Sequence, residues 1–271
     1  MENNKIGFIG SGNMASSIIG GLISNSAQYT IYASDPDSEK LSNLNTKYGV
    51  LPCASNDELV NNVDVVVLSV KPQVMQDILS SLKQAYSKTR PVIISIAAGI
   101  RCQQILNWLE SDSAPCIRVM PNTPALVQTG ASGLFALNTS LPQKKLAENI
   151  MNAVGLTVWL DDESLIDSVT AVSGSGPAYF FYLMEAIYNA AIKNGLCETV
   201  ANKLTLQTAL GAAKLAMNSE VDFKTLRQRV TSPGGTTEAA INKLKEHNFS
   251  ELVENAVTQA VIRSKELSRD K

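Results

Sequence analysis

The stretch Lys5-Ile6-Gly7-Phe8-Ile9-Gly10-Ser11-Gly12-Asn13-Met14-Ala15 decides how the rest of the chain is read. Residues 6–9 form a short apolar run that reads as a strand, and residues 13–24 carry a helical pattern. A strand, a tight glycine turn and a helix in immediate succession open a βαβ unit. Gly10 permits the tight bend, Gly12 lets the backbone approach a pyrophosphate, and Ala15 is the small residue needed where helix packs on strand. The helix N-terminus adds unpaired N–H groups and a partial positive charge. Glycines at this spacing are a weak signal alone, but between strand and helix they point to a dinucleotide site. The competing reading is a tight turn that binds nothing.

Further apolar runs follow at residues 29–33, 63–70, 91–98, 115–120, 132–137 and 156–160, with helical patterns between them, such as 74–85 and 143–153. The run Val-Asp-Val-Val-Val-Leu-Ser-Val at 63–70 is nearly all apolar, as a strand covered on both faces requires. Strand–helix alternation predicts right-handed crossovers and a mostly parallel sheet. After Glu163 the strands stop, and residues 166–172, 178–193, 200–217, 223–230, 237–246 and 251–267 all read as helix. The expected fold is an α/β, Rossmann-type dinucleotide-binding domain over residues 1–162, followed by an all-α domain over 163–271 for substrate and dimerisation. Residues 178–184 (Ala-Tyr-Phe-Phe-Tyr-Leu-Met) are apolar on too many sides for a surface helix, and a second subunit is their natural cover. Residues 264–271 read as a solvated, fraying end.

Composition narrows the functional classes. Of 271 residues, 45% are hydrophobic and 18% charged, which supplies a core and excludes disorder as the main state. Lys plus Arg is 23 against 25 Asp plus Glu, so no electrostatic footprint for nucleic acid exists. No apolar run reaches the roughly 18–20 residues of a membrane span, and the start lacks the basic, then apolar, pattern of a secretory signal. Cys53, Cys102, Cys116 and Cys197 stand far apart and form no Cys-x-x-Cys, so they read as reduced thiols of a cytoplasmic protein. No metal site is expected. His247 is the only histidine, which excludes a His dyad and reads as a helix C-cap or surface residue.

Coenzyme choice hangs on Ala33-Ser34-Asp35-Pro36-Asp37. An acidic residue here normally holds the ribose 2′-hydroxyl of NAD. Asp35 lies at about that distance, but the Ser34 hydroxyl could bond a 2′-phosphate, and Lys40 follows one helical turn later. The segment also reads as a helix-capping turn. Three more loops leave strand ends on the ligand side: Val70-Lys71-Pro72, Ala97-Ala98-Gly99 and Met120-Pro121-Asn122-Thr123-Pro124. In the helical half, Thr231-Ser232-Pro233-Gly234-Gly235-Thr236-Thr237 precedes a helix and could hold an anion such as a substrate carboxylate, or serve only as a capped turn. Ser173-Gly174-Ser175-Gly176-Pro177 enters the apolar helix; its small residues suit either packing or a ligand.

The motifs Gly10–Met14, Ser69-Val70-Lys71-Pro72, Met120–Pro124, Ser173–Tyr179 and Ser232–Thr237, in that order, resemble the pyrroline-5-carboxylate reductase family over essentially the whole chain. The resemblance implies reduction of 1-pyrroline-5-carboxylate to L-proline, with NADPH as coenzyme and NADH as the alternative. It also implies a cytoplasmic homodimer with interlocked helical domains, often assembled into a decamer of five dimers. It assigns the coenzyme to Gly10, Gly12, Asn13, Met14, Ser34, Asn56, Val70, Lys71, Pro72, Ala97 and Asn122. It assigns the substrate to Glu163, Ser232, Gly234, Gly235, Thr236 and Thr237, and catalysis to Thr237, Glu220 and Ser232. Thr237 would lie at the substrate nitrogen, with Glu220 near enough to stabilise a cationic imine. No residue is an obvious general acid, so positioning and electrostatics would carry most of the rate. Two rivals stand beside this reading. One is a β-hydroxyacid dehydrogenase or imine reductase on the same plan; the hydroxyacid enzymes use a helical-domain lysine, and Lys193, Lys203 and Lys214 all lie outside the glycine-rich substrate loop. The other is a non-catalytic dinucleotide sensor, which should keep the first glycines and lose the second loop.

Overall fold

The computed structural model describes residues 4–24 and 29–269. Eight strands build one sheet: β1 (Lys5–Ile9), β2 (Thr30–Ser34), β3 (Leu51–Pro52), β4 (Val65–Leu68), β5 (Val92–Ser95), β6 (Cys116–Met120), β7 (Gly130–Leu137) and β8 (Gly155–Trp159). Their order is β3-β2-β1-β4-β5-β6-β7-β8. Every neighbouring pair is parallel except β6–β7. The exception follows from length: residues 121–129 join these strands through a 3₁₀ turn at Thr123–Val127, too short for a crossover.

Alternation along the strands fills both faces. Ile6 and Phe8 of β1, Val65 and Val67 of β4 and Ile94 of β5 join one core, packed with Ile18, Ile19 and Leu22 of α1 (Asn13–Ser24) and Ile150 and Met151 of α7 (Leu141–Asn152). Ile9, Val66, Leu68 and Ile93 point the other way. There they meet α3 (Asn56–Asn62), α4 (Met75–Ser81), α5 (Lys83–Thr89) and α6 (Cys102–Leu109). The remaining helix of this half is α2 (Ser38–Tyr48). The expected strand at 63–70 shortens to β4 because Val63 caps α3 and Ser69 turns its hydroxyl to the Ile9 and Gly10 carbonyls. The helix expected at 74–85 divides into a 3₁₀ turn, α4 and α5, with a break at Leu82.

The chain forms two compact units: one runs to Ser175 and resumes at Ala260, and the other is Gly176–Gln259. The helix α8 (Leu165–Val169) and the π turn Thr170–Gly174 pack with the sheet, burying Ile166 and Ala171 and setting Val169 directly against Gly133 of β7. The end of α13 (Phe249–Arg269) belongs to the same unit. This corrects the reading of 264–271 as a solvated end: Ser264 and Ser268 are buried, and the Ser264 hydroxyl donates to Asp167 Oδ1 at 2.6 Å. Residues 270–271 lie outside the described residues.

The second unit holds α9 (Gly176–Lys193), α10 (Glu198–Met217), α11 (Phe223–Arg229), α12 (Thr236–Glu246) and the start of α13. Phe180, Phe181 and Tyr182 of α9 are 65%, 64% and 74% exposed, so within one chain the apolar face of α9 has no cover. No described helix is long and apolar enough to cross a membrane. His247 is the C-cap of α12 and exposed. Cys53, Cys102 and Cys116 are buried and Cys197 exposed, all as free thiols. Cys102 and Cys116, far apart in sequence, are neighbours in space. The hydrogen bond with Cys102 and complete burial push the Cys116 thiol well above its usual pKa.

Gly21 of α1 packs so closely that a Cβ there would fall onto the Ala153 carbonyl oxygen, closer than any real contact. Gly21→Ala should lower unfolding stability by about 2–4 kcal/mol, measured by denaturant titration, because backbone must move to admit one methyl.

Candidate active site

Gly10 adopts φ +94°, a left-handed conformation that favours glycine. A Cβ there would lie 2.8 Å from the Ser69 carbonyl oxygen and 2.8 Å from Val70 Cγ1. The turn is drawn tight by hydrogen bonds: Gly10 N–H to the Ser34 carbonyl at 2.8 Å, and the Ser69 hydroxyl to the carbonyls of Ile9 at 2.9 Å and Gly10 at 2.6 Å. Gly12 is the opposite case, since nothing stands within 4 Å of the position its Cβ would take. That open space faces the head of α1, where the first N–H groups have no intrahelical partner. Ser11 Oγ is buried in the same turn without a hydrogen-bond partner among the described residues. Open space, unpaired donors and a buried orphan hydroxyl together fit a dinucleotide pyrophosphate. Asn13 and Met14 open α1 beside it, and Ala15 is buried against the strands as its place requires.

At the end of β2 the Ser34 hydroxyl donates to Asn56 Oδ1 at 2.6 Å, so two residues assigned to the coenzyme stand together. Asp35 accepts the Ser11 N–H at 2.7 Å on Oδ2 and the Asp37 N–H at 2.9 Å on Oδ1. Asp37 caps α2, accepting from Glu39 N and Lys40 N, and pairs with Lys40 at 3.3 Å. The backbone N–H of Lys40, above all, holds the Asp37 carboxyl below its ordinary pKa. Val70, Lys71 and Pro72 follow β4; Lys71 is exposed and forms no ion pair among the described residues. Ala97 is buried just past β5.

Two residues assigned to ligands have side chains committed to the protein. Asn122, buried after β6, donates to the Ser173 carbonyl at 3.0 Å and accepts from Ala131 N at 2.9 Å. It thereby ties the β6–β7 connection to the π turn. Glu163 Oε1 accepts from Cys102 N at 2.9 Å and from Arg118 Nη1 at 3.2 Å, capping α6 while neutralising a buried guanidinium. Arg118 was missed in the sequence reading, although a charge inside the strand Cys116-Ile117-Arg118-Val119-Met120 signals a buried ion pair. Asp35 as a brace of the glycine turn was missed too.

In the helical unit, Ser232, Gly234, Gly235, Thr236 and Thr237 share one turn and helix start. Gly235 N–H donates to the Ser232 carbonyl at 3.0 Å, and Gly234 takes φ +71°. The helix α12 begins at Thr236, with Thr237 half-buried in its first turn. Glu238 reaches back to Gly234 N–H at 2.8 Å, which fixes the turn. Glu220 is exposed in the separate segment between α10 and α11. The helix start offers hydroxyls and the first N–H groups of α12 to an anion, with Glu238 already bonded to the Gly234 N–H.

Residues 163–267 match a family model described as pyrroline-5-carboxylate reductase dimerisation, and residues 5–99 match one described as NADP oxidoreductase coenzyme F420-dependent. Pyrroline-5-carboxylate reductase from Pseudomonas aeruginosa is 50% identical over 270 residues, covering 99% of this chain and 98% of that protein. The chain belongs to the pyrroline-5-carboxylate reductase family. The solved pyrroline-5-carboxylate reductase of Coxiella burnetii is 45% identical with a TM-score of 0.94, over 98% of this chain and 99% of that one. The Plasmodium falciparum pyrroline carboxylate reductase, solved with NADP bound, is 30% identical with a TM-score of 0.86, over 99% of both chains. Membership in this reductase family gives both halves a use: a dinucleotide-using oxidoreductase has need of an open turn such as that at Gly12, and residues 163–267, which hold the exposed apolar face of α9, match a dimerisation domain.

Gly12→Val should fold with near-native stability, since its side chain meets only open space, yet lose dinucleotide binding by 100-fold or more in calorimetric titration.

Proposed function

We propose that the chain reduces 1-pyrroline-5-carboxylate to L-proline with NADPH, NADH serving as the alternative coenzyme. In balance, 1-pyrroline-5-carboxylate, NAD(P)H and one proton give L-proline and NAD(P)⁺. The observation that carries the proposal is the pair of anion-ready helix starts on one chain. The head of α1 with open Gly12 suits a pyrophosphate, and the head of α12 after Gly234-Gly235 suits a small carboxylate. In this reading residues 1–162 bind the coenzyme and residues 163–271 bind substrate and dimerise, with α9 and α10 facing a second copy in a homodimer. A cytoplasmic location suits its free thiols, three buried and Cys197 exposed.

A reduced nicotinamide, when bound, supplies hydride to the C=N carbon. The residues proposed to hold the coenzyme are Gly10, Gly12, Asn13, Met14, Ser34 and Asn56, with the loops at Val70–Pro72, Ala97 and Asn122. The turn at Ser232, Gly234, Gly235 and Thr236 holds the substrate carboxylate through its hydroxyls and the first N–H groups of α12, since the Gly234 and Gly235 N–H groups already have partners. Thr237 offers its hydroxyl to the ring nitrogen. Glu220 supplies the negative charge that favours the protonated imine, which accepts hydride better than the neutral one. Glu163 supports the site through Arg118 and the head of α6. With the Glu238 carboxylate engaged by the Gly234 N–H, orientation and charge placement lower the barrier.

The test is loss of reduced-nicotinamide absorbance when the purified protein meets 1-pyrroline-5-carboxylate and NADPH or NADH. Rapid loss with proline formed is the expected result; tight coenzyme binding without turnover would overturn the proposal. Thr237→Ala should lower kcat by about 10–100-fold, the scale of losing one well-placed hydrogen-bond donor, with coenzyme affinity unchanged. Normal turnover would displace the ring nitrogen from Thr237.

A further inference from the structure

We infer that Asn122 is a positioning residue for hydride transfer: its side chain supplies the hydrogen bond that Pro177 withholds, and so fixes the turn at Ser173–Gly176 on the ligand side of the sheet. What the turn serves rests on the reductase reading above. The need arises in the backbone. Between α8 and α9 the helix is interrupted by the π turn Thr170–Gly174 and a bend at Ser175. There the Ser175 N–H reaches back five residues, to the Thr170 carbonyl at 2.8 Å. A regular α-helix would give the Ser173 carbonyl the N–H of residue 177. Residue 177 is proline and has none. Asn122 Nδ2 donates to that carbonyl instead, at 3.0 Å, from 51 residues earlier in the chain.

The amide does this in one orientation only. Its Oδ1 accepts the Ala131 N–H at 2.9 Å, which leaves the Nδ2 end for Ser173. Asn122 is buried at the head of the 3₁₀ turn Thr123–Val127, so the donor is seated before it meets the carbonyl. Met120, two residues earlier, closes on the same place: a Cβ on Gly174 would lie 2.6 Å from Met120 Cε. The motifs Met120–Pro124 and Ser173–Pro177 are thus halves of one device, in which the asparagine of the first answers the proline of the second. Strands β1, β4, β5 and β6 run parallel, so the loop that Asn122 opens leaves β6 on the side where the Gly10 turn leaves β1. The Ser173 turn is held on that side with it. Without the donor the Ser173 carbonyl loses its partner and the turn can shift, and a displacement of about 1 Å near a reacting centre can cost about 100-fold in rate.

The test places Asn122→Asp in the full-length chain and in its Pro177→Ala variant. The aspartate keeps the acceptor for Ala131 and loses the donor for Ser173, whereas alanine at position 177 returns a backbone N–H to the turn. Turnover of 1-pyrroline-5-carboxylate with NADPH, 5′-AMP affinity by calorimetry and the thermal midpoint are measured for the unaltered chain, both single variants and the double variant. Asn122→Asp should lower kcat by about tenfold or more and leave 5′-AMP affinity within about twofold, since that fragment binds at the glycine turn. In the Pro177→Ala background the same substitution should cost less than about threefold in kcat and lower the midpoint by less than about half as much. The added negative charge is common to both backgrounds, so relief by Pro177→Ala isolates the donor. Equal losses in both backgrounds, full kcat in Asn122→Asp, or a comparable loss of 5′-AMP affinity would overturn the inference. If Asn122→Asp fails to fold, a folded double variant supports the inference and an unfolded one overturns it. No turnover by the unaltered chain would instead overturn the reductase reading beneath it, and the midpoints would still judge the bond from Asn122 to Ser173.

Discussion

The contact between Gly10 and the backbone of Ser69 is the constraint on which the sheet unit's ligand side depends. The ends of β1, β2 and β4 are tied at this point by the Gly10 N–H to Ser34 and by the Ser69 hydroxyl to Ile9 and Gly10. A side chain at Gly10 would meet a backbone oxygen at 2.8 Å while its φ of +94° strained the chain. These bonds, two of them from the Ser69 side chain, hold the strand ends together beneath the start of α1. The sheet order runs β3-β2-β1 on one side and β4 onward on the other, so the turn sits where the winding reverses. In open α/β sheets that reversal is where the ligand crevice forms. Asp35 adds a second tie, from the end of β2 to Ser11.

The helical unit solves a different problem. Phe180, Phe181 and Tyr182 remain open in one chain, as do Leu204, Leu206 and Leu210 of α10. Apolar patches of this kind mark association surfaces in proteins that otherwise carry scattered exposed side chains. The same unit carries the turn at Gly234-Gly235 that leads into α12.

Much of this was legible in the chain itself. The glycine turn, the buried runs of β4 and β5 and the start of α12 are local features, each signalled by residues within one or two turns. The parts that escaped are those set at long range. Strand β3 is only Leu51-Pro52, too short to show a period. The reversal of β7 depends on the length of the connection from β6 rather than on any residue in the strand. The bonds that Asn122 and Glu163 make to Ser173 and Arg118, 51 and 45 residues away, are not signalled by any local motif. Ser264 reads as part of a polar tail until Asp167, 97 residues earlier, is seen to accept its hydroxyl.

The most direct check follows the hydride. The protein would be given 1-pyrroline-5-carboxylate and a reduced dinucleotide carrying deuterium at C4 of the nicotinamide, on one face and then on the other. The account expects proline with one deuterium on its δ-carbon from one labelled face and none from the other. Proline free of deuterium from both, or no proline at all while the dinucleotide binds, would contradict it.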